Sequence, residues 1–157
     1  MSQPAASANP DPERDPPSAP TCRVVRAGQP FVGKQGLSYA AAISAETVGS
    51  QHIHMQMVTI PPGAKARAHY HEAHETALYV LSGKAGMWYG EGLTEHMVNG
   101  AGDFVYIPAG VPHMPYNPSA TENVVAIIAR TDPNEQESVV LRPDLDGLKP
   151  AAPPDKA

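Results

Sequence analysis

The sequence predicts an all-β sandwich or barrel, on three observations. Short apolar runs of strand length recur along the middle of the chain. Glycine and proline punctuate them at regular intervals. No window of 11 residues keeps a helical period without a Gly or Pro. In order, residues 51–60 (QHIHMQMVTI) alternate with period two and stop at Pro61-Pro62-Gly63. Residues 76–82 (TALYVLS) end at Gly83, and residues 84–89 (KAGMWY) end at Gly90. Residues 103–107 (DFVYI) end at Pro108, and residues 122–130 (ENVVAIIAR) form the most apolar strand. Residues 138–141 read as an additional strand, packed on the barrel or on a partner. The one candidate helix is residues 36–47, Ala-rich but short and poorly amphipathic.

Composition bounds the rest. At roughly 100–200 residues per domain, 157 residues make one domain. Residues 1–20 hold six prolines and residues 143–157 hold four, with few large apolar side chains. Such stretches do not bury enough apolar area to offset ordering entropy. They read as unfolded arms on either side of a folded domain over residues 21–142. The net charge of −5 gives a duplex-binding surface no electrostatic basis, so no nucleic-acid partner is expected. The longest apolar run, residues 124–129, is six residues, where a spanning helix needs roughly 20, so no membrane partner is expected either. The start of the chain lacks a basic segment followed by an apolar one, and a single cysteine, Cys22, excludes an intrachain disulfide framework. A cytoplasmic location is the expectation.

Strand parity locates the chemistry. In residues 51–60, His52, His54, Gln56, Val58 and Ile60 share one face, read as the core side. Ile53, Met55 and Met57 share the other, an apolar surface suited to a second sheet or a second subunit. His69, His71 and His74 fall within six residues, beside Glu72 and Glu75. His-x-His on a strand puts both imidazoles on one face, where two neutral ring nitrogens can reach one metal ion. His113, behind the turn Pro108-Ala109-Gly110-Val111-Pro112, is the natural distant ligand. His96 reads as a solvated hairpin residue, and Met87, Met97 and Trp88 as packing.

Two segments resemble the paired motifs of the cupin superfamily. The first reads Gly63, five residues, His69-Tyr70-His71, three residues, Glu75, seven residues, Gly83. The second reads Gly102, five residues, Pro108-Ala109-Gly110, two residues, His113, three residues, Asn117, a full match. The resemblance implies a double-stranded β-helix, the jelly-roll cupin barrel. It also implies one divalent transition metal, a small-molecule substrate and a homodimer. The first motif departs from the family at one point, because six residues are expected before its final glycine. Counted back from Gly83, the family's glutamate position falls on Thr76; counted forward from His71, it falls on Glu75. In a regular strand Glu75 points away from His74 and Thr76, and a bulge would turn it inward. Two ligand sets therefore stand open: His69, His71, Glu75 and His113, or the same set with His74 in place of Glu75. Imidazole suits Fe, Zn, Ni, Co and Cu, and an added carboxylate also admits Mn. The expected activity is a dioxygenase-type oxidation of a small organic molecule. A metal-dependent isomerase or lyase, or a non-catalytic ligand-binding cupin, is the alternative.

Overall fold

The structure, a computed structural model, describes residues 20–135 and 138–149. Residues 1–19 and 150–157, which hold most of the two arms read as unfolded, lie outside the described residues. Among the described residues eleven antiparallel strands form two sheets. They are β1 (Phe31–Val32), β2 (Ser38–Ile43), β3 (His54–Ile60), β4 (His69–His71), β5 (Thr76–Ser82) and β6 (Lys84–Tyr89). These are followed by β7 (Glu95–Gly100), β8 (Phe104–Ile107), β9 (His113–Tyr116), β10 (Val124–Arg130) and β11 (Val139–Leu141). The larger sheet runs β1-β2-β3-β10-β5-β8 and the smaller β11-β4-β9-β6-β7. Their inner faces pack together as the jelly-roll barrel that the cupin resemblance implies.

Period-two burial builds the interior. In β3, His54, Gln56, Val58 and Ile60 are buried while Met55 and Met57 face outward. Val124 and Ala126 of β10 and Val80 of β5 meet them, joined by Leu37 and Tyr39. Met87, Val105 and Ile107 form a second group inside the barrel. The inner face is apolar over most of its length, and its polar residues collect toward the end where β4 and the start of β5 lie.

Residues 36–47 are not the helix their alanines suggest. Residues 38–43 pair along β3, with Tyr39 and Ala41 buried. Only one helical turn follows, α1 (Ala45–Val48), capped by Ser44, whose hydroxyl accepts from the Thr47 N–H. Sheet pairing overrides the local preference of alanine here.

The outer faces of the two sheets differ. That of the smaller sheet carries a core of its own: Ala68, Trp88, Leu93, Met114, Tyr116 and Leu145. Leu145 is 5% exposed, so packed structure continues past residue 142. His96 belongs to this layer instead of to solvent. Its ring lies 4.4 Å from Trp88, its Nε2 is 2.7 Å from the Tyr116 hydroxyl, and burial pushes its pKa below the usual histidine range. Among the described residues nothing covers the outer face of the larger sheet. Met55, Met57, Leu81, Phe104 and Tyr106 are exposed there, Phe104 at 82%.

Gly86 lets this second core close. It pairs with Tyr116 across the β6–β9 ladder, and a Cβ at position 86 would overlap the Tyr116 ring. Tyr116 is 1% exposed and tied to His96, so it has no room to retreat. Gly86→Ala is expected to destabilise the protein by about 1–3 kcal/mol, the usual cost of overpacking. A denaturant midpoint equal to that of the parent would contradict this account.

Candidate metal centre

Two of the clustered histidines stand on a strand of only three residues. β4 pairs with β11 on one side, matching Val139 with His71 and Leu141 with His69. On the other side His69 is opposite His113 of β9. Alternation along β4 buries His69 and His71 and leaves Tyr70 between them only partly buried. The turn that carries His113 is tied to the same strand. Gly110, at φ +78°, donates its N–H to the His71 carbonyl at 2.7 Å. A side chain would strain that backbone conformation, so the motif glycine has a local cause. Asn117, the last motif residue, is fully buried and ties loops together. Its amide donates to the carbonyls of Ile60 at 2.9 Å and Glu122 at 2.7 Å, and its oxygen accepts from Ser119 N–H.

Ligand nitrogens of His69, His71 and His113 lie within 4.8 Å of one another, and all three side chains are buried. The His69 and His113 rings are 4.2 Å apart, and His71 and His113 4.9 Å. Backbone carbonyls orient two of the rings: His69 Nδ1 donates to Arg67 at 2.7 Å and His113 Nδ1 to Val111 at 2.9 Å. A carbonyl only accepts, so Nδ1 carries the proton and Nε2 keeps its lone pair. That tautomer is the one a metal-ligating imidazole needs.

The other two residues of the expected ligand sets are not part of that mutual group of three, though His74 stands next to it. His74 is buried with its ring 4.5 Å from that of His71. Its Nδ1 is 3.0 Å from the Ser138 hydroxyl and 3.7 Å from the Asp132 carboxylate. Burial works to raise the Asp132 pKa, but hydrogen bonds from Asn134 and Ser138 and the neighbouring His74 hold it below the usual range. Glu75 is exposed and accepts a 2.6 Å hydrogen bond from the Tyr106 hydroxyl on the outer face. β5 starts regularly with Thr76 inward and Ala77 outward. Its irregularity against β10 falls near Leu81, so nothing turns Glu75 into the barrel.

The triad opens on a cavity of about 70 Å³. At roughly 10–15 Å³ per water that is room for about five waters or one small molecule. Its lining is mostly aliphatic, and among the described lining residues there is no Asp, Glu, Lys or Arg. The polar exceptions are the three histidines, Gln35, Tyr39, Gln56, Thr76 and Asn99. Thr76 Oγ1 and Asn99 Oδ1 are buried without a hydrogen-bond partner among the described residues. Opposite the triad, the register of the larger sheet sets His54, Arg130 and Thr76 side by side. His54 Nε2 donates to Gln56 Oε1 at 3.1 Å, and the Arg130 guanidinium donates to the Asn134 carbonyl. Sequence reasoning left Arg130 unassigned. Its signal was parity, since it continues the inward positions Val124, Ala126 and Ile128.

A family model described as "Cupin domain" matches residues 56–129. No curated protein matches the chain. Among solved structures, an oxalate decarboxylase studied for proton-coupled electron transfer aligns at TM-score 0.61 and 26% identity, over 73% of this chain and 30% of that one. A deletion mutant of Bacillus subtilis oxalate decarboxylase gives 0.61 and 26%, over 72% and 30%. The Lactobacillus farciminis oxalate decarboxylase formate complex gives 0.60 and 20%, over 72% and 33%, a likeness of fold alone. This chain thus spans about a third of the length of those decarboxylases. Family model, strand topology and both histidine motifs agree: the barrel is a small cupin domain whose histidine triad can hold a metal ion.

Proposed function

We propose that this cupin binds one divalent transition metal through His69, His71 and His113 and oxidises a small organic molecule with dioxygen. The observation that carries the reading is the convergence of three buried imidazole donors on a small apolar cavity. The donor set fits the group. Three neutral nitrogens suit Fe, Co, Ni, Cu or Zn, and a vacant face remains for ligands. Mn is the weakest fit, because Glu75 is engaged with Tyr106 and supplies no carboxylate. In this reading His74 packs beside His71 without ligating. A bound metal would supply an open, redox-active or Lewis-acidic position.

The chain's own residues favour oxidation over elimination or isomerisation. Proton-transfer chemistry needs a positioned acid or base. Among the described lining residues only Tyr39 and the three histidines can move a proton, no carboxylate or lysine stands with them, and His69 and His113 commit their Nδ1 to backbone carbonyls. The aliphatic walls exclude water and hold the organic part of a substrate. The decarboxylases of like fold support a second reading, a lyase acting on a small carboxylate. Oxygen dependence separates the two. Iron-loaded protein given small hydroxy and keto acids is expected to consume oxygen in step with substrate. Equal turnover under strict anaerobiosis would overturn the oxidation.

The metal assignment has its own test. Metal analysis after dialysis is expected to give about one ion per chain for the parent, Glu75→Ala and His74→Ala. Less than a tenth of that is expected for His113→Ala. Full retention by His113→Ala would sink the assignment.

We infer that the partner is a second copy, joined through the outer face of the larger sheet. The smaller sheet covers its own outer face, whereas Phe104, Leu81, Met55 and Met57 leave this one apolar and open. Light scattering at micromolar concentration is expected to give twice the chain mass, and Phe104→Lys to lower it. A monomeric parent would refute the dimer. No helix among the described residues is long and apolar enough to cross a membrane. A single free cysteine, Cys22, suits the reducing cytoplasm in which we place the protein.

A further inference from the structure

Thr76 stands where the cupin pattern, counted back from Gly83, carries a glutamate. It is 3% exposed and lines the cavity together with the histidine triad. Its hydroxyl has no hydrogen-bond partner among the described residues. Leaving such a group unsatisfied is costly, so a buried hydroxyl in this condition is set for something that enters the cavity. Asn99 Oδ1 shares the condition but comes from the smaller sheet, the sheet of the triad itself. Thr76 comes from the larger sheet, facing that triad, with Arg130 next to it in register.

Charge points to what enters. Three neutral imidazoles leave the full charge of a divalent ion uncompensated, and among the described residues no carboxylate lines the cavity. A glutamate at position 76 would repel an anion; a threonine offers a donor instead. The volume admits only a few heavy atoms.

We propose that Thr76 is a specificity-determining residue: its hydroxyl donates a hydrogen bond to an oxygen of a small singly charged oxyanion held at the histidine triad. The proposal rests on the metal reading above and adds to it the class of ligand and the residue that selects it. The position of Thr76 gives the site two opposed walls, cation on one and neutral donor on the other. A second negative charge on the ligand would meet no cationic side chain among the described lining residues.

The test uses the full chain loaded with Co(II) and titrated with formate, reading the visible absorption of cobalt. The parent and Thr76→Val are expected to bind cobalt with equal affinity, since Thr76 is no ligand. Formate binding is expected to weaken about tenfold in Thr76→Val and to recover in Thr76→Ser. Thr76→Glu is expected to abolish formate binding while keeping cobalt. Thr76→Ala, with thermal denaturation as the fold check, replaces the valine variant should that one not fold. Unchanged formate affinity in the folded hydroxyl-free variant would overturn the role of Thr76 and leave the metal reading standing. Loss of cobalt in that variant would overturn it as well, making Thr76 part of the metal's support. Failure of the parent to bind cobalt would overturn the metal reading and, with it, this proposal.

Discussion

A strand of three residues cannot hold its own geometry, and β4 carries two of the three clustered histidines. Its conformation is set by what borders it. On one edge β11 supplies a three-residue ladder, extended at both ends by Ser138 accepting from Glu72 N–H and Ala68 accepting from Arg142 N–H. On the other edge stand His113 and the Gly110 N–H, which donates to the carbonyl of His71 itself. Asp146 adds a further tie, its carboxylate accepting from Ala68 N–H at 2.6 Å. Backbone hydrogen bonds are each worth about 1 kcal/mol net, yet several acting on so short a segment leave it a single arrangement. The site follows from that constraint.

The same economy governs the division of polar groups. The barrel interior is apolar where the sheets must stick together and polar only where it faces the histidines. Buried polar atoms are held by specific partners: Asn117 by the backbones of Ile60, Glu122 and Ser119, His54 by Gln56, Arg130 by the Asn134 carbonyl. Thr76 is the exception on the wall opposite the triad. Function and stability therefore draw on different rows of the same strands. Val58, Val80 and Ala126 pack the core, while on the same strands Thr76 lines the cavity with His54 and Arg130 beside it in register.

Much of this was legible in the residues, for a local reason. His69, His71 and His113 lie in glycine-framed segments whose spacing survives translation into structure, and period two told which side of β3 faces inward. The choice among His74, Glu75 and Thr76 was not legible. It depends on how residues 72–75 turn between the two sheets and on an irregularity placed near Leu81, both decided by distant strands. His96 was misread as solvated for a similar reason. Its cover comes from Trp88, Tyr116 and the layer closed by Leu145, 49 residues further along the chain. Alanines 40 to 42 pointed to helix because their pairing with β3 cannot be read from their own neighbourhood.

The lateness of β11 has a consequence for biogenesis. During synthesis the segment bearing His69 and His71 leaves the ribosome roughly seventy residues before its outer neighbour, Val139–Leu141, exists. Until then β4 is an open sheet edge with unsatisfied backbone groups, and the imidazoles on it have no fixed spacing. Assembly of the histidine cluster is thereby deferred until Val139–Leu141 has been made, and a nascent chain shorter than that offers the cell's free ions no finished chelate to capture.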